Sequence, residues 1–566
     1  MRTILKAIRR FFGRGRGLEI YPEDVLLDSH NLPQFDRHHM EGRFDRRISF
    51  RVVVMTGMVF LLVSLIYTGR IASLQIVRGE DFAQRSQENR LRHALIFSER
   101  GAVFDRDRTR LAWNYTATST DDFAHRKYTS KTGLSHLLGY LKYPSRDSSG
   151  VYYRVSYDGK SGVEESFNNY LSGQHGIQIV EIDAQNTIRS GSTVRHPQNG
   201  KNLHLAIDSD VQHKLFELIR DRSIDSGFQG GAGAIMDVET GEVLALTSYP
   251  EYDSGIMTEG DSEAIQKIQE IEGNPFLNRV IGGSFVAGSI VKPFLALGAL
   301  HEDIISPSKT IMSTGSLVVP NPYDPDESTS FADWKAHGAV DMREALAVSS
   351  NVYFYQIGGG FESQPGLGIT KIKKYMNMFG FGEKTGIDLA GEIKGVIPSP
   401  QWKQDNFEDQ VWRVGDTYNT SIGQYGTLVT PIQALQATAA IANGGYRVQP
   451  MLRQSDRSQV TGEKDIPIAE EDFQVVREGM RRAVTSGTAA GLNTSFLDVA
   501  AKTGTAEIGK ASVNSWIIGF YPYDEPKYAF VVVMERGPRE NLYGGVWVMR
   551  NLIDWMHQEK SIYTAL

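Results

Sequence analysis

One apolar stretch constrains this chain more than any other feature of its sequence. Residues 52–69, VVVMTGMVFLLVSLIYTG, are eighteen consecutive uncharged residues, and no second run like it occurs. As a helix they extend about 27 Å, close to the roughly 30 Å hydrocarbon core of a bilayer. A buried helix of a globular core normally carries a polar stripe, and Thr56, Ser64 and Thr68 do not form one. The sequence therefore predicts one membrane-spanning helix here.

Charge is distributed unevenly on the two sides of this stretch. The chain has a net charge of −7, yet residues 1–51 contain eleven Lys/Arg and seven Asp/Glu, which leaves 49 basic and 60 acidic residues in the rest. Basic residues before an apolar helix keep that end in the cytoplasm. We therefore expect a basic cytoplasmic tail over 1–51, with the chain from residue 70 onward outside the cytoplasm. An acidic folded body argues against nucleic acid as a partner.

The start of the tail has two interpretations. Ile4, Leu5 and Ile8 alternate with Arg2 and Lys6 at helical spacing, which could make a helix lying on anionic membrane lipid. The same residues could act only as a positively charged topology signal. A cleavable signal peptide fits poorly, because the apolar run begins about fifty residues into the chain.

Composition excludes several kinds of chemistry. The chain has 566 residues, more than one typical domain, and contains no cysteine. Disulfides, thiolate nucleophiles and cysteine-ligated metals are therefore excluded, and a nucleophile would have to be a hydroxyl, an amine or a carboxylate. No GxSxG, HExxH or GxxxxGK[ST] motif occurs. The search narrows to a serine or threonine activated by an amine.

Two regions with different patterns follow the apolar stretch. Residues 70–205 carry short mixed signals, including a strand, a turn and a strand over Arg100–Leu111, and predict a small α+β spacer. LHLAID at 203–208 reads as a further strand. Residues 206–566 carry a hairpin pattern near their start, strands near their end and long helical patterns between them. This order predicts an α+β domain whose terminal strands share one sheet.

Ser289 and Lys292 give the first indication of chemistry. A hydroxyl and an amine three residues apart at the start of a helix lie on one face, where a desolvated lysine can take the serine proton. Pro293 is tolerated in the first turn, whose N–H groups lack helical acceptors. The pattern alone is weak, since Ser306–Lys309 repeats it in a turn-like context.

Order and context strengthen the signal. Ser349–Asn351 (Ser-Ser-Asn) begins sixty residues after Ser289, at an interruption between two helical stretches. Lys502–Thr505 (Lys-Thr-Gly-Thr) begins 213 residues after Ser289, on a predicted strand where a small glycine lets a substrate backbone approach. Two other Lys-Thr-Gly triplets, at Lys131 and Lys384, lack this context and are interpreted as structural.

Ser-x-x-Lys, Ser-x-Asn and Lys-Thr-Gly in this order are the signature of penicillin-binding proteins and serine β-lactamases, and the chain resembles class B penicillin-binding proteins over most of its length. RGAVFDR at 100–106 and GVEESFNNYLSGQHG at 162–176 are similar to the family's pedestal, and GAIMDVETGEVLALTSYP at 233–250 is similar to the start of its transpeptidase domain. The resemblance implies an α+β protein with one N-terminal membrane helix, an elongated α+β pedestal of the dimerisation type over 70–205, and a transpeptidase domain over 206–566 in which helices flank an antiparallel sheet.

Within class B, DWKAHGAVDMREAL, TGIDLAGEIKGVIPSPQWK and GDTYNTSIGQYG resemble the elongation-type, penicillin-binding protein 2-like branch. Ala287 stands where the family commonly has proline, and Tyr425 interrupts the usual Gly-Gln-Gly. Three alternatives stay open: a division-type transpeptidase, a β-lactamase or penicillin sensor, and a non-catalytic assembly scaffold. A lactamase would not need the long pedestal, and a scaffold would not need three intact motifs.

The resemblance also assigns roles to the motif residues. Ser289 would be the nucleophile, Lys292 its base, and Ser349 a proton relay to the leaving amine. The catalytic residues it implies are Ser289, Lys292, Ser349, Asn351 and Lys502, and the substrate-binding residues are Thr503, Gly504 and Thr505. The backbone N–H groups of Ser289 and Thr505 would form an oxyanion hole.

These roles imply a serine-type peptidoglycan D,D-transpeptidase of the D-Ala-D-Ala carboxypeptidase class. Its substrates would be stem peptides ending in D-Ala-D-Ala, and β-lactams would inhibit it by acylating the serine. It would be anchored in the cell membrane with its catalytic domain outside the cytoplasm, and it would work with a RodA-type glycosyltransferase in the elongation complex. The resemblance implies no metal and no organic cofactor.

Overall fold

The computed structural model describes residues 48–116, 118, 121–148, 152–182, 188–321, 324–408, 411–454, 466–509, 511–540 and 543–565. Almost all of the basic tail, including the segment interpreted either as a lipid-binding helix or as a topology signal, lies outside these residues. The described chain divides into two compact units. The first unit has two parts: the chain up to Arg92, which contains the apolar helix, and Glu181–Arg189. The second unit comprises His93–Val180 and the chain from Ser190 onward.

The first unit contains the apolar helix. Helix Phe50–Ala72 is 23 residues long, none of them buried, and it continues as a π-helical turn over Ser73–Val77. In the described part of the chain, it is the one helix that is long and apolar enough to cross a membrane. The predicted span over 52–69 lies inside it. A separate helix, Gly79–Arg90, follows.

The second unit begins with a four-stranded sheet in the order Leu203–His204, Val103–Phe104, Arg110–Tyr115 and His125–Tyr128. The predicted strand, turn and strand are present, and Asp105 closes the turn by accepting hydrogen bonds from the backbone N–H groups of Asp107 and Thr109 at 3.0 and 2.7 Å. The strand predicted from LHLAID is shorter than expected. Its first two residues pair with Val103–Phe104, and the N–H of Leu205 still donates to the carbonyl oxygen of Phe104 at 2.9 Å, while the N–H groups of Ala206 and Asp208 donate to Leu452 and Leu244.

A buried ion cluster stabilises this region. Arg100 Nε and Arg126 Nε donate to the two oxygens of Glu164 at 2.6 and 2.7 Å, and all three side chains are almost completely buried.

The other short elements are helices Ser135–Leu138, Gly162–Ser166 and Asn168–Leu171, and strands Leu91–Ile96, Leu141–Lys142, Ser145–Arg146, Tyr152–Arg154, Asp158–Gly159, Gly176–Ile182 and Ile188–Arg195.

A five-stranded sheet forms the centre of the larger region. Its strands lie in the order Val243–Tyr249, Gly230–Asp237, Tyr528–Pro538, Ser512–Tyr521 and Ala500–Ile508, and every neighbouring pair is antiparallel. The prediction that the first and last strands share one sheet is confirmed. Successive side chains alternate between two hydrophobic clusters, with Val531 and Val533 in one and Phe530 and Val532 in the other.

Helices cover both faces of this sheet. Helix Pro431–Ala442 contributes to one cluster, and helices Ser209–Ser226 and Gly545–Glu559 contribute to the other. The remaining helices are Ser254–Glu259, Ser262–Gln269, Arg279–Gly282, Lys292–His301, Met342–Ala347, Asn351–Gly359, Gly368–Met378, Pro400–Asn406, Val414–Ser421 and Glu470–Thr485, with 3-10 turns at Gly288–Val291, Ala490–Leu492 and Ser561–Tyr563.

Three small antiparallel pairs complete the fold: Phe285–Val286 with Leu428–Val429, Ile311–Ser313 with Gly338–Val340, and Ser316–Asn321 with Asp324–Ala332. The predicted fold class, an α+β domain with helices on an antiparallel sheet, is confirmed.

Candidate active site

Ser289 lies on the 3-10 turn Gly288–Val291, which leads directly into helix Lys292–His301. Gly288 has a φ of +59°, and a Cβ at this position would lie 2.8 Å from the carbonyl oxygen of Thr505. A side chain is therefore disfavoured both by the left-handed backbone and by the neighbouring strand. This close approach holds Ser289, which is partly exposed, beside the Lys-Thr-Gly-Thr strand.

Lys292 is fully buried at the start of the helix. Its Nζ donates to the carbonyl oxygen of Ser349 at 2.8 Å, to Ser349 Oγ at 3.3 Å and to Asn351 Oδ1 at 2.8 Å. Burial lowers the pKa of Lys292 to about 7, and the carboxylate of Asp333 acts in the opposite direction. A substantial fraction of this amine is therefore neutral near pH 7 and able to accept a proton.

Lys502 approaches the same serine from the sheet. It is fully buried, and its Nζ donates to Ser349 Oγ at 2.8 Å and to the carbonyl oxygen of Thr503 at 2.9 Å. Burial, together with the charge of Lys292, holds the pKa of Lys502 well below its ordinary value. The lysines of the Ser-x-x-Lys and Lys-Thr-Gly motifs therefore both donate to the Ser349 hydroxyl of the Ser-x-Asn motif.

Ser349 stands between helices Met342–Ala347 and Asn351–Gly359, at the predicted interruption. Its φ of +58° is unusual for a residue with a side chain. Ser350 caps the second helix, since its Oγ accepts a hydrogen bond from the N–H of Tyr353 at 3.3 Å. The tight connection aims Ser349 and Asn351 at Lys292.

The Lys-Thr-Gly-Thr segment lies on strand Ala500–Ile508, which ends the sheet and, among the described residues, pairs with a strand along one side only. Thr505 is exposed and Thr503 is partly exposed, with Thr503 Oγ1 lying 2.6 Å from Thr488 Oγ1. A Cβ on Gly504 would come within 2.8 Å of the Ile290 side chain. The strand offers an open edge next to Ser289, and an extended peptide can pair with such an edge.

The structure separates this group from the other motif matches. Lys131 donates to Ser209 Oγ at 3.1 Å and forms an ion pair with Asp210, and Lys384 is exposed. The interpretation of both triplets as structural stays a prediction. Two polar contributors lie outside the three catalytic motifs: Asp333, the first residue of the DWKAHGAVDMREAL segment, whose buried carboxylate bonds to the Ser-x-Asn segment, and Thr488, which contacts Thr503.

Two family models match the chain. A model described as the penicillin-binding protein transpeptidase domain matches residues 231–549, and a model described as the penicillin-binding protein dimerisation domain matches residues 114–205. The first covers more than half of the chain and contains Ser289, Lys292 and Lys502.

Relatives of known name match over most of the chain. Peptidoglycan D,D-transpeptidase MrdA of Acinetobacter baumannii is 27% identical, covering 86% of this chain and 84% of its own length, and MrdA of Escherichia coli K12 is 26% identical, covering 87% and 92%.

Solved structures match equally broadly. The complex between penicillin-binding protein PBP2 and MreC from Helicobacter pylori has a TM-score of 0.68 at 26% identity, covering 84% of this chain and 100% of that chain. Pseudomonas aeruginosa PBP2 in complex with WCK 5153 has a TM-score of 0.64 at 29% identity, covering 82% and 97%. The chain belongs to the penicillin-binding protein transpeptidase family, and within it to the elongation-type class B branch.

Proposed function

We propose that this protein is a peptidoglycan D,D-transpeptidase of cell-wall elongation that acts through an acyl-enzyme on Ser289. The observation that carries the proposal is the convergence of Lys292, Lys502 and Asn351 around Ser349, beside a partly exposed Ser289 and an open strand edge. Relatives named D,D-transpeptidase cover most of the chain and support the same function.

Acylation begins at the carbonyl of the penultimate D-Ala of a stem peptide. Ser289 Oγ forms a bond to this carbon while its proton passes to the neutral amine of Lys292. The N–H groups of Ser289 and Thr505 stabilise the oxyanion, and in other enzymes one such donor contributes about 3 to 4 kcal/mol. The peptide C–N bond then breaks, the leaving D-Ala amine takes the proton of Ser349, and Lys292 or Lys502 resupplies that serine.

Substrate binding uses the open edge of strand Ala500–Ile508. A stem peptide in extended conformation would pair with this edge as an added strand. The hydroxyl groups of Thr503 and Thr505 and the local positive charge of Lys502 would hold the terminal carboxylate, while Gly504 leaves room for the backbone. An amine from a neighbouring stem peptide then attacks the ester, which forms the cross-link and frees Ser289.

The chain divides in this proposal into a cytoplasmic tail (1–51), a membrane helix (52–69), a pedestal (70–205) and a transpeptidase domain (206–566), with the last two outside the cytoplasm. The basic tail supports this orientation. The Helicobacter pylori relative forms a complex with MreC. We propose that this protein likewise joins an elongation complex, with a RodA-type glycosyltransferase as one partner, and that β-lactams acylate it.

Product analysis tests the function. Full-length protein in detergent, incubated with a stem peptide ending in D-Ala-D-Ala and an acceptor amine, should release one D-Ala for each cross-linked product. Ser289→Ala should abolish both products, whereas Ser306→Ala, in the other Ser-x-x-Lys sequence, should retain them. Hydrolysis without any cross-link, or activity that survives Ser289→Ala, would contradict the proposal.

A further inference from the structure

We infer that Asp333 is a positioning residue for the reaction proposed above: its buried carboxylate holds the Ser-x-Asn motif in place and keeps a negative charge close to Lys292. This inference rests on the proposed acyl-enzyme chemistry. Asp333 lies just after hairpin strand Asp324–Ala332, outside all three motifs.

Four groups donate to this one carboxylate. Asp333 Oδ2 accepts hydrogen bonds from Ser350 Oγ at 2.8 Å, from Ser313 Oγ at 3.1 Å and from the N–H of Val352 at 3.0 Å. Oδ1 accepts from the N–H of Trp334 at 2.9 Å. The side chain is completely buried. A carboxylate with this many donors is fixed in position and therefore fixes the groups that bond to it.

The groups it fixes belong to the Ser-x-Asn connection. Ser350 is the middle residue of the motif, and its hydroxyl both donates to Asp333 and caps the next helix. Ser349 beside it holds a left-handed φ of +58°, a conformation that a serine keeps only when its neighbours are anchored. Without the carboxylate, Ser349 and Asn351 would lose the anchor that aims them at Lys292.

The charge of Asp333 also affects the pKa of the Lys292 amine. The groups that face Lys292 are Asn351 and the Phe354 ring from the following helix, Lys502 from the sheet and Asp333 from the hairpin side. His337 Nε2 lies 3.6 Å from Asp333 Oδ1, and burial lowers the pKa of this histidine, which is therefore neutral at pH 7.

Burial and the carboxylate of Asp333 have opposite effects on the pKa of Lys292. Burial disfavours a charged Lys292, whereas the carboxylate favours it. Burial opposes the ionisation of Asp333, but the N–H groups of Asn351 and Val352, the Ser350 hydroxyl and the charge of Lys292 together outweigh this effect and hold the pKa of Asp333 below its ordinary value. The carboxylate therefore stays charged across the range in which Lys292 titrates.

The pH dependence of acylation tests the inference. We would measure the rate at which a fluorescent penicillin acylates the full-length protein from about pH 5 to about pH 10. Asp333→Asn keeps the shape of the side chain but removes its charge. It should shift the midpoint of the rising limb to lower pH by about one unit, because Lys292 loses a stabilising negative charge, and it should also lower the plateau.

Two further variants separate charge from anchoring. Ser350→Ala removes a donor to the carboxylate without changing any charge, so it should lower the plateau rate about tenfold and leave the midpoint unchanged. Asp326→Asn removes an equal charge from an exposed position on the same hairpin and should leave both quantities as in the unmodified protein. A merely structural role for Asp333 would not move the midpoint.

The outcomes distinguish this inference from the proposed function. If the unmodified protein is acylated but Asp333→Asn keeps its midpoint, the inference is wrong and the proposed function stands. If Asp333→Asn does not fold, Ser350→Ala decides, and an unchanged plateau in that variant would overturn the inference. Absence of any adduct on the unmodified protein would overturn both.

Discussion

Lys292 and Lys502 are both fully buried, and both donate a hydrogen bond to one atom, Ser349 Oγ, at 3.3 and 2.8 Å. Two ammonium groups in such a site repel each other, and burial lowers the pKa of each. Because the pKa of Lys292 is about 7, the two amines together carry fewer than two positive charges near neutral pH. Because Ser349 Oγ accepts from both amines, its own hydrogen can be donated to a leaving group.

This arrangement predicts a pH dependence. With a pKa of about 7, Lys292 is mainly protonated below pH 7 and mainly neutral above it. Only the neutral amine accepts the Ser289 proton, so the acylation rate should rise with pH and reach half of its plateau near pH 7. Stopped-flow measurement with a fluorescent penicillin checks this. A rate that is constant from about pH 6 to about pH 9 would contradict the role of Lys292.

Ser349→Ala removes the oxygen that joins the two lysines. Turnover of a D-Ala-D-Ala peptide should fall about 100-fold to 10,000-fold, the usual range for loss of a proton-transferring group. Release of D-Ala measures turnover, and Ser306→Ala serves as a control outside the group. Unchanged turnover in the Ser349 variant would exclude the proton relay.

Gly288→Ala tests the contact between the nucleophile turn and the strand. The new Cβ would lie 2.8 Å from the carbonyl oxygen of Thr505, in addition to the cost of a left-handed alanine of about 1 kcal/mol. Gly260→Ala is a matched control, because Gly260 also has a positive φ, +74°, but no atom within 4 Å of an added Cβ. Penicillin labelling should be lost at 288 and kept at 260. Equal labelling of both variants would show that the close approach is not needed.

The buried ion cluster predicts a large effect on stability. Glu164→Gln would leave Arg100 and Arg126 buried without their counter-charge, which should lower the free energy of unfolding by about 3 to 5 kcal/mol. Denaturant unfolding of the unmodified and variant proteins measures the difference. A loss below about 1 kcal/mol would mean that water or another group compensates the arginines.

The same cluster predicts that the folded protein loses stability as the pH falls. Burial opposes ionisation of Glu164, but the two guanidinium groups outweigh it and hold the pKa of Glu164 below its ordinary value of 4.5. A carboxyl whose pKa is lower in the folded state contributes stability above its unfolded pKa, and that contribution is lost as the pH falls through the folded pKa. Below pH 4.5 the stabilities of the unmodified protein and Glu164→Gln should therefore converge.

The sequence allowed much of this architecture to be predicted, and the reasons are local. The length of the uncharged stretch revealed the membrane-type helix. The sequence pattern also revealed strands of the central sheet, in which successive side chains face different cores: Val531 and Val533 face one, and Phe530 and Val532 face the other. Motif order indicated which residues would meet, and the structure places Lys292, Ser349 and Lys502 in one hydrogen-bonded group.

What could not be predicted depends on contacts between distant segments. Asp333 precedes Ser350 by 17 positions and lies outside the three catalytic motifs, so only the folded hairpin shows that it anchors the Ser-x-Asn segment. The residues after strand Leu203–His204 also find partners far along the chain, since the N–H groups of Ala206 and Asp208 donate to Leu452 and Leu244. Alternation in the sequence does not reveal such partners.

Intact-mass analysis of the full-length protein after incubation with penicillin, followed by peptide mapping, tests most directly whether Ser289 is the nucleophile. We expect one covalent adduct per chain, located on Ser289, with no adduct on Ser289→Ala. An unmodified protein without an adduct, or an adduct of the same mass on Ser289→Ala, would contradict it.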